Sequence, residues 1–101
     1  MAQLLVLYNS PADRAAFDRY YRKTHIPLAK KIPGLRSYSI SAGSVEALAG
    51  SAPHLVACLT FDSMADLRAA LASPEGQAAA ADLSNFASGG ATLLTYSSEE
   101  V

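Results

Sequence analysis

The chain has 101 residues, of which 50% are hydrophobic and 17% charged, and its net charge is -1. This composition describes one folded domain, residues 1–101, and excludes a disordered chain; the near-zero charge argues against nucleic-acid binding on bulk electrostatics. The single cysteine, Cys58, excludes an internal disulfide framework, and no Cys/His spacing matches a zinc site.

Residues 3–8 form the first expected strand, ending at Asn9-Ser10-Pro11. Its apolar run is too short to span a membrane and lacks the flanks of a signal peptide, so the expected location is the cytoplasm. Ser10 is placed to cap a helix with Pro11 at its first position and Asp13 in its first turn. That helix is expected to reach about His25 and to end or kink at Thr24–Ile26, because Pro27 biases the preceding residue away from helical geometry. At 100° per residue, Phe17, Tyr20, Tyr21, Thr24 and His25 share one arc, with Arg19, Arg22 and Lys23 opposite. Residues 28–31 allow a further short turn before Pro33-Gly34 stops it.

A second strand is expected over residues 35–42, with Arg36, Tyr38, Ile40 and Ala42 on one face. Residues 43–53, rich in Gly, Ala and Ser, form a long connection with room for a weak turn at 45–48, and residues 54–61 a third strand. Ser63 caps a second helix to about Ala72, with Asp66 at the matching position. Ser73-Pro74 opens a shorter Ala-rich piece to about Leu83. Residues 85–90 read as a mobile approach with room for a bulge at Gly89-Gly90, and residues 91–97 as the last strand.

The order βαββαβ is the ferredoxin-like arrangement of the α+β class, an antiparallel four-stranded sheet with helices on one face. Such a sheet should be polar on its free face. Yet Leu4 and Val6 alternate with Leu5 and Leu7, and Leu55, Ala57 and Leu59 alternate with Val56 and Cys58. Strands apolar on both faces call for a second layer, and sheet-to-sheet packing in a homodimer would supply it. Composition points the same way: 20 of the hydrophobic residues are Ala, which leaves 31 larger ones to build a core.

The charge is unevenly placed. Residues 13–36 sum to +5 and the remainder to -6. This describes either a solvated basic helix face or a surface that draws an anionic ligand toward one end of the fold.

The segment Phe17-Asp18-Arg19-Tyr20-Tyr21-Arg22-Lys23-Thr24-His25-Ile26-Pro27-Leu28, followed by Pro33-Gly34-Leu35 and Tyr38, gives the pattern F-x-x-Y-Y-x-x-x-H-x-P-L with P-G-L-x-x-Y. This pattern resembles the EthD family, named after a protein of ethyl tert-butyl ether degradation, within the dimeric α+β barrel superfamily. The resemblance covers nearly the whole chain. It implies a dimeric barrel with a ligand pocket between each sheet and its helices. Some such relatives are small lyases, isomerases, dehydratases or cofactor-free oxygenases, and many have no assigned activity.

His25 is the leading candidate for chemistry, because its ordinary pKa suits proton transfer near neutrality and it lies beside Tyr21. Its alternative role is structural, donating to carbonyls left open at a kinked helix end. Tyr21 is the expected hydroxyl partner of His25. Phe17, Tyr20 and Tyr38 are expected to line a substrate pocket, against the alternative that large aromatics at helical spacing are core. Tyr38 and Arg36 face either the pocket or a dimer interface, with Arg36 favoured at an interface or rim. His54 reads as a rim histidine, Cys58 as an inert core residue, and Asp18 as a partner for Arg14 or Arg22. Asp62 is explained by helix entry.

No Gly-rich nucleotide loop and no metal cluster is present in the sequence, so no cofactor is expected. Two functions remain open. One is a cofactor-independent enzyme of lyase, isomerase, dehydratase or oxidoreductase type, acting on a small organic substrate with His25 as acid/base and Tyr21 or Tyr38 as hydroxyl partner. The other is a non-catalytic binding or accessory protein of an oxidative degradation pathway. An RNA-binding sheet is disfavoured, because the third strand lacks stacked aromatics.

Overall fold

The structure is a computed structural model and describes residues 1–101. Four strands, β1 (Ala2–Tyr8), β2 (Ser37–Ile40), β3 (Leu55–Phe61) and β4 (Ala91–Ser97), form one sheet in the order β2-β3-β1-β4. Every neighbouring pair is antiparallel. With its helices on one face, this is an α+β ferredoxin-like fold.

The period-2 pattern of the central strands decides the layering. Leu4, Val6 and Tyr8 of β1, and Leu55, Ala57, Leu59 and Phe61 of β3, are buried beneath the helices. Their alternates, Leu5, Leu7, Val56 and Cys58, lie on the other face and are only half-buried. Register continues this split across the sheet, since Leu5 faces both Cys58 and Leu94. Cys58 therefore belongs to the free sheet face and not to the helix-side core.

The first helical rod departs most from expectation. It starts at Arg14, not at Pro11, and its cap is Asp13, whose Oδ1 accepts from the Ala16 N–H at 3.0 Å. As the cap, the Asp13 carboxylate also sits favourably at the positive end of the helix dipole. The rod also runs through Pro27 without a break. After α1 (Arg14–Tyr20), a π segment (Tyr21–His25) leads into α2 (Ile26–Ala29). The Ile26 N–H reaches back five residues to the Tyr21 carbonyl. Pro27 has no N–H to give and its ring would crowd the carbonyl four residues back. The wider π turn absorbs that conflict inside the helix instead of ending it. Wider winding also turns Thr24 out to solvent, away from the buried Phe17, Tyr21 and His25.

Gly34, at φ 79°, closes this region in the left-handed conformation that its place after Pro33 requires. β2 is shorter than the expected 35–42, and residues 45–48 form no helical turn. Helix α3 (Met64–Ala72) starts at Ser63 as expected, with Ser63 Oγ accepting from Asp66 N–H at 3.1 Å. Helix α4 (Pro74–Phe86) is longer than its sequence implied, and Asn85 and Phe86 are helical. Ser73 joins the two: its Oγ accepts from Gly76 N–H at 3.0 Å and donates to the Ala70 carbonyl at 2.6 Å. β4 pairs with β1 in unbroken register, so residues 89–90 make a turn and no bulge.

Candidate functional site

The π segment places Tyr21 and His25 on the sheet side of the rod, both essentially buried. Opposite them α4 carries Asp82, also buried. Its Oδ2 lies 2.9 Å from His25 Nδ1. Its Oδ1 accepts from the Tyr20 hydroxyl at 2.6 Å and from Asn85 Nδ2 at 3.0 Å. Burial pushes the Asp82 carboxyl up, but the hydrogen bonds from Tyr20, Asn85 and His25 outweigh it and hold the group below its ordinary value. Asp82 is therefore an ionised, acceptor-only partner, and His25 Nδ1 is the nitrogen that carries the proton. Nε2 has no protein partner.

The His25 side chain belongs to the wall of a cavity of about 50 Å³ between the sheet and the helices, lined by 16 residues of which 14 are hydrophobic. Space on this scale holds a few waters or part of a small organic molecule. His25 is the only nitrogen base in the wall. Leu93 of β4 lines the cavity while remaining 46% exposed, which puts the opening along the β4 edge.

The Tyr21 and Tyr38 hydroxyls also meet in this wall, 2.5 Å apart. Burial, then the bond to Tyr38, pushes the Tyr21 phenol well above its ordinary range. Burial raises Tyr38 too, partly offset by its bond to Tyr21. Both are neutral hydroxyls at physiological pH and unsuited to act as phenolate bases; one proton is used in the bond between them, and the hydroxyl that accepts it keeps its own proton to donate to a substrate oxygen. Tyr38 faces the helices, which decides one question the sequence left open.

The structure thus gathers His25, Tyr21 and Tyr38 around one cavity. Phe17 and Tyr20 do not line it. Phe17 is core, its ring packed against Tyr8, Tyr21 and Phe86 at centroid distances of 5.4, 5.8 and 5.2 Å. Tyr20 reaches the site indirectly, through Asp82. Arg36 sits apart on the surface in a two-pronged ion pair with Asp62 at 2.9 and 2.8 Å. Asp62 is thus more than a helix-entry residue. Asp18 pairs with His54 Nε2 at 2.9 Å and with neither Arg14 nor Arg22. The His54 ring lies edge-on to Phe17, so this histidine is more enclosed than a rim residue. No three His, Cys, Asp or Glu side chains converge as metal ligands.

Asp82 is the site residue that the sequence reading missed. A signal for it exists: on α4 the buried positions Gly76, Ala79 and Phe86 are spaced as one helical face, and Asp82 falls on that face. A carboxylate where the spacing asks for an apolar residue needs a partner.

Comparison with known proteins agrees with this architecture. The EthD domain family matches residues 9–90. The chain belongs to the EthD family. A 46% identical relative, spanning 100% of this chain and 98% of its own length, is an uncharacterised 11.0 kDa protein of Rhodococcus erythropolis from the thcB-thcC intergenic region. Among solved structures, an EthD family protein of Bacillus halodurans superposes with a TM-score of 0.88 at 33% identity, covering 98% of this chain and 99% of that one. SnoaB of Streptomyces nogalater, a cofactor-independent oxygenase, shares the fold at TM-score 0.69 and 14% identity, covering 99% of this chain and 94% of that one. A dimeric ferredoxin-like protein of Thermobifida fusca shares it at TM-score 0.69 and 17% identity, covering 94% and 88%. In this EthD chain the motif residues Tyr21, His25 and Tyr38 are the ones that meet at the cavity.

Proposed function

We propose that this EthD protein is a cofactor-independent enzyme whose first chemical step is proton abstraction from carbon beside a carbonyl group of a small, mostly apolar substrate. The observation that carries the reading is the His25 imidazole, held through Nδ1 by Asp82, with Nε2 lacking a protein partner and the side chain in the wall of an apolar cavity. In this reading Nε2 takes the proton and the imidazolium is stabilised by Asp82. The electron pair left on carbon moves onto the oxygen as an enolate, which the Tyr21–Tyr38 hydroxyl pair stabilises by hydrogen bonding. Returning the proton elsewhere gives an isomerase, expelling a β leaving group gives a lyase or dehydratase, and attack on dioxygen gives an oxygenase. The cofactor-independent oxygenase among the proteins that share the fold supports the last branch as one outcome.

A homodimer formed through the free sheet face, acting in the cytoplasm, completes the reading. The apolar alternates of β1 and β3 support the first part. A second reading, a binding protein without turnover, is favoured by one observation: one of the two Tyr21 and Tyr38 protons is already used in the bond between them, which leaves a single donor for an oxyanion.

Deuterium uptake from D2O into small ketones, phenylacetone first, separates these readings. The enzyme reading expects acceleration by the wild-type protein that is lost by about 100-fold or more in His25→Ala. Equal acceleration by that variant would remove His25 from the mechanism. A ketone that raises the melting temperature yet gains no deuterium favours the binding reading.

A further inference from the structure

A second cleft shares Tyr21 with the His25 cavity. It is polar and roomy, about 510 Å³, bounded by the helical rod and by residues 41–55. Sites for small organic molecules fall in this size range.

Its charge follows from an ion pair the sequence did not predict. Arg14, Asp18 and Arg22 recur at four-residue spacing along the rod and all line the cleft. Helical spacing alone would have Asp18 neutralise one of the arginines. Instead the Asp18 carboxylate is bound to His54 across the cleft at 2.9 Å. Neither Arg14 nor Arg22 has a carboxylate partner. Arg14 makes only a long contact, 3.5 Å, to Ser10 Oγ. Ser41 lines the opposite side, and its Oγ accepts from Val56 N–H at 3.1 Å, which leaves the hydroxyl hydrogen to donate. Two unpaired guanidiniums and a free hydroxyl donor suit an oxyanion. Tyr21 and Leu55 add apolar surface for an organic body, and the Asp18 charge in the same wall disfavours a multiply charged ion.

We propose that this cleft binds a small organic monocarboxylate, with Arg14 and Arg22 supplying the charge that holds it. The site shares the Tyr21 wall with the His25 cavity, but its charge comes from Arg14 and Arg22 and not from His25.

Benzoate is the probe. The full-length protein is titrated with sodium benzoate at low ionic strength, followed by backbone and arginine side-chain NMR, with benzyl alcohol and inorganic phosphate as comparators. Saturable shifts centred on Arg14, Arg22, Ser41 and Leu55 are expected. Benzyl alcohol should bind at least about tenfold more weakly, and added NaCl should weaken benzoate. The double variant Arg14→Gln/Arg22→Gln, both positions being exposed and free of ion pairs, should fold and lose about tenfold or more in affinity. His25→Ala should bind benzoate as wild type does. Absence of saturable shifts, shifts centred on His25, unchanged affinity in the arginine variant, or phosphate bound as tightly as benzoate would each overturn the proposal.

Discussion

The Asp82 carboxylate accepts from three side chains at once, and this one residue fixes both the orientation and the tautomer of His25. Asp82→Asn replaces an acceptor-only group with one that must present either its oxygen or its NH2 to each neighbour. We expect proton-transfer activity to fall about 10- to 100-fold, with a stability loss of about 1–3 kcal/mol at neutral pH. The pH dependence has a definite sign. The folded state holds Asp82 below its ordinary value, so its stabilising contribution is complete above about pH 4 and is lost as pH falls through the folded-state value. Urea midpoints of wild type and Asp82→Asn should therefore converge in acid; a gap that persists unchanged there would mean that Asp82 is not ionised in the fold. Tyr21 has the opposite sign: its raised phenol favours the fold below about pH 10 and opposes it above. Tyr21→Phe should leave the tyrosinate absorbance of the native protein unchanged between about pH 9 and 11, since Tyr21 does not ionise there. At this scale His25 and Tyr21 were legible because both lie on one helix at helical spacing. Asp82 was not, because it stands 57 residues from His25 and only folding brings them together.

Local rules carried most elements. Ser63 and Ser73 each accept from the N–H three residues on, and α3 and α4 start where those serines put them. The strands β1, β3 and β4 were legible from apolar and β-branched runs bounded by turn residues. What local rules could not supply was the π segment. Pro27 reads as a helix end or kink, and the packing of Tyr21 and His25 against the sheet and α4 keeps the rod helical and moves the irregularity into one wide turn. The α3–α4 corner gives a prediction at this scale. A Cβ on Gly76 would sit 2.1 Å from the Ala70 carbonyl oxygen and 2.9 Å from Leu71 Cα, both backbone atoms. Gly76→Ala should cost about 3 kcal/mol or more, because backbone must move to relieve the overlap. It should also disturb the cavity that Gly76 lines. Thermal denaturation measures the first effect, and a melting temperature unchanged from wild type would mean that the two helices are not this close.

For the whole molecule, the sheet's two faces tell different stories. One is sealed by helices; the other offers Leu5, Leu7, Val56 and Cys58 from the centre, with Leu94 and Tyr96 of β4 each a little under half exposed. That face accounts for the doubled apolar pattern of β1 and β3, which two helices on one side cannot cover. Light scattering should give twice the 10.6 kDa chain mass, and Leu5→Glu, at the middle of the free face, should give a folded monomer. A wild-type monomer at micromolar concentration would remove the dimer. The central claim concerns the other face, where His25 lines an apolar cavity with one nitrogen held by Asp82 and the other without a protein partner. Nitrogen-15 NMR of the neutral His25 imidazole tests this most directly. The account predicts a proton on Nδ1 and a bare Nε2 in wild type, with that preference lost in Asp82→Asn. A proton resident on Nε2 in the wild-type protein would contradict it.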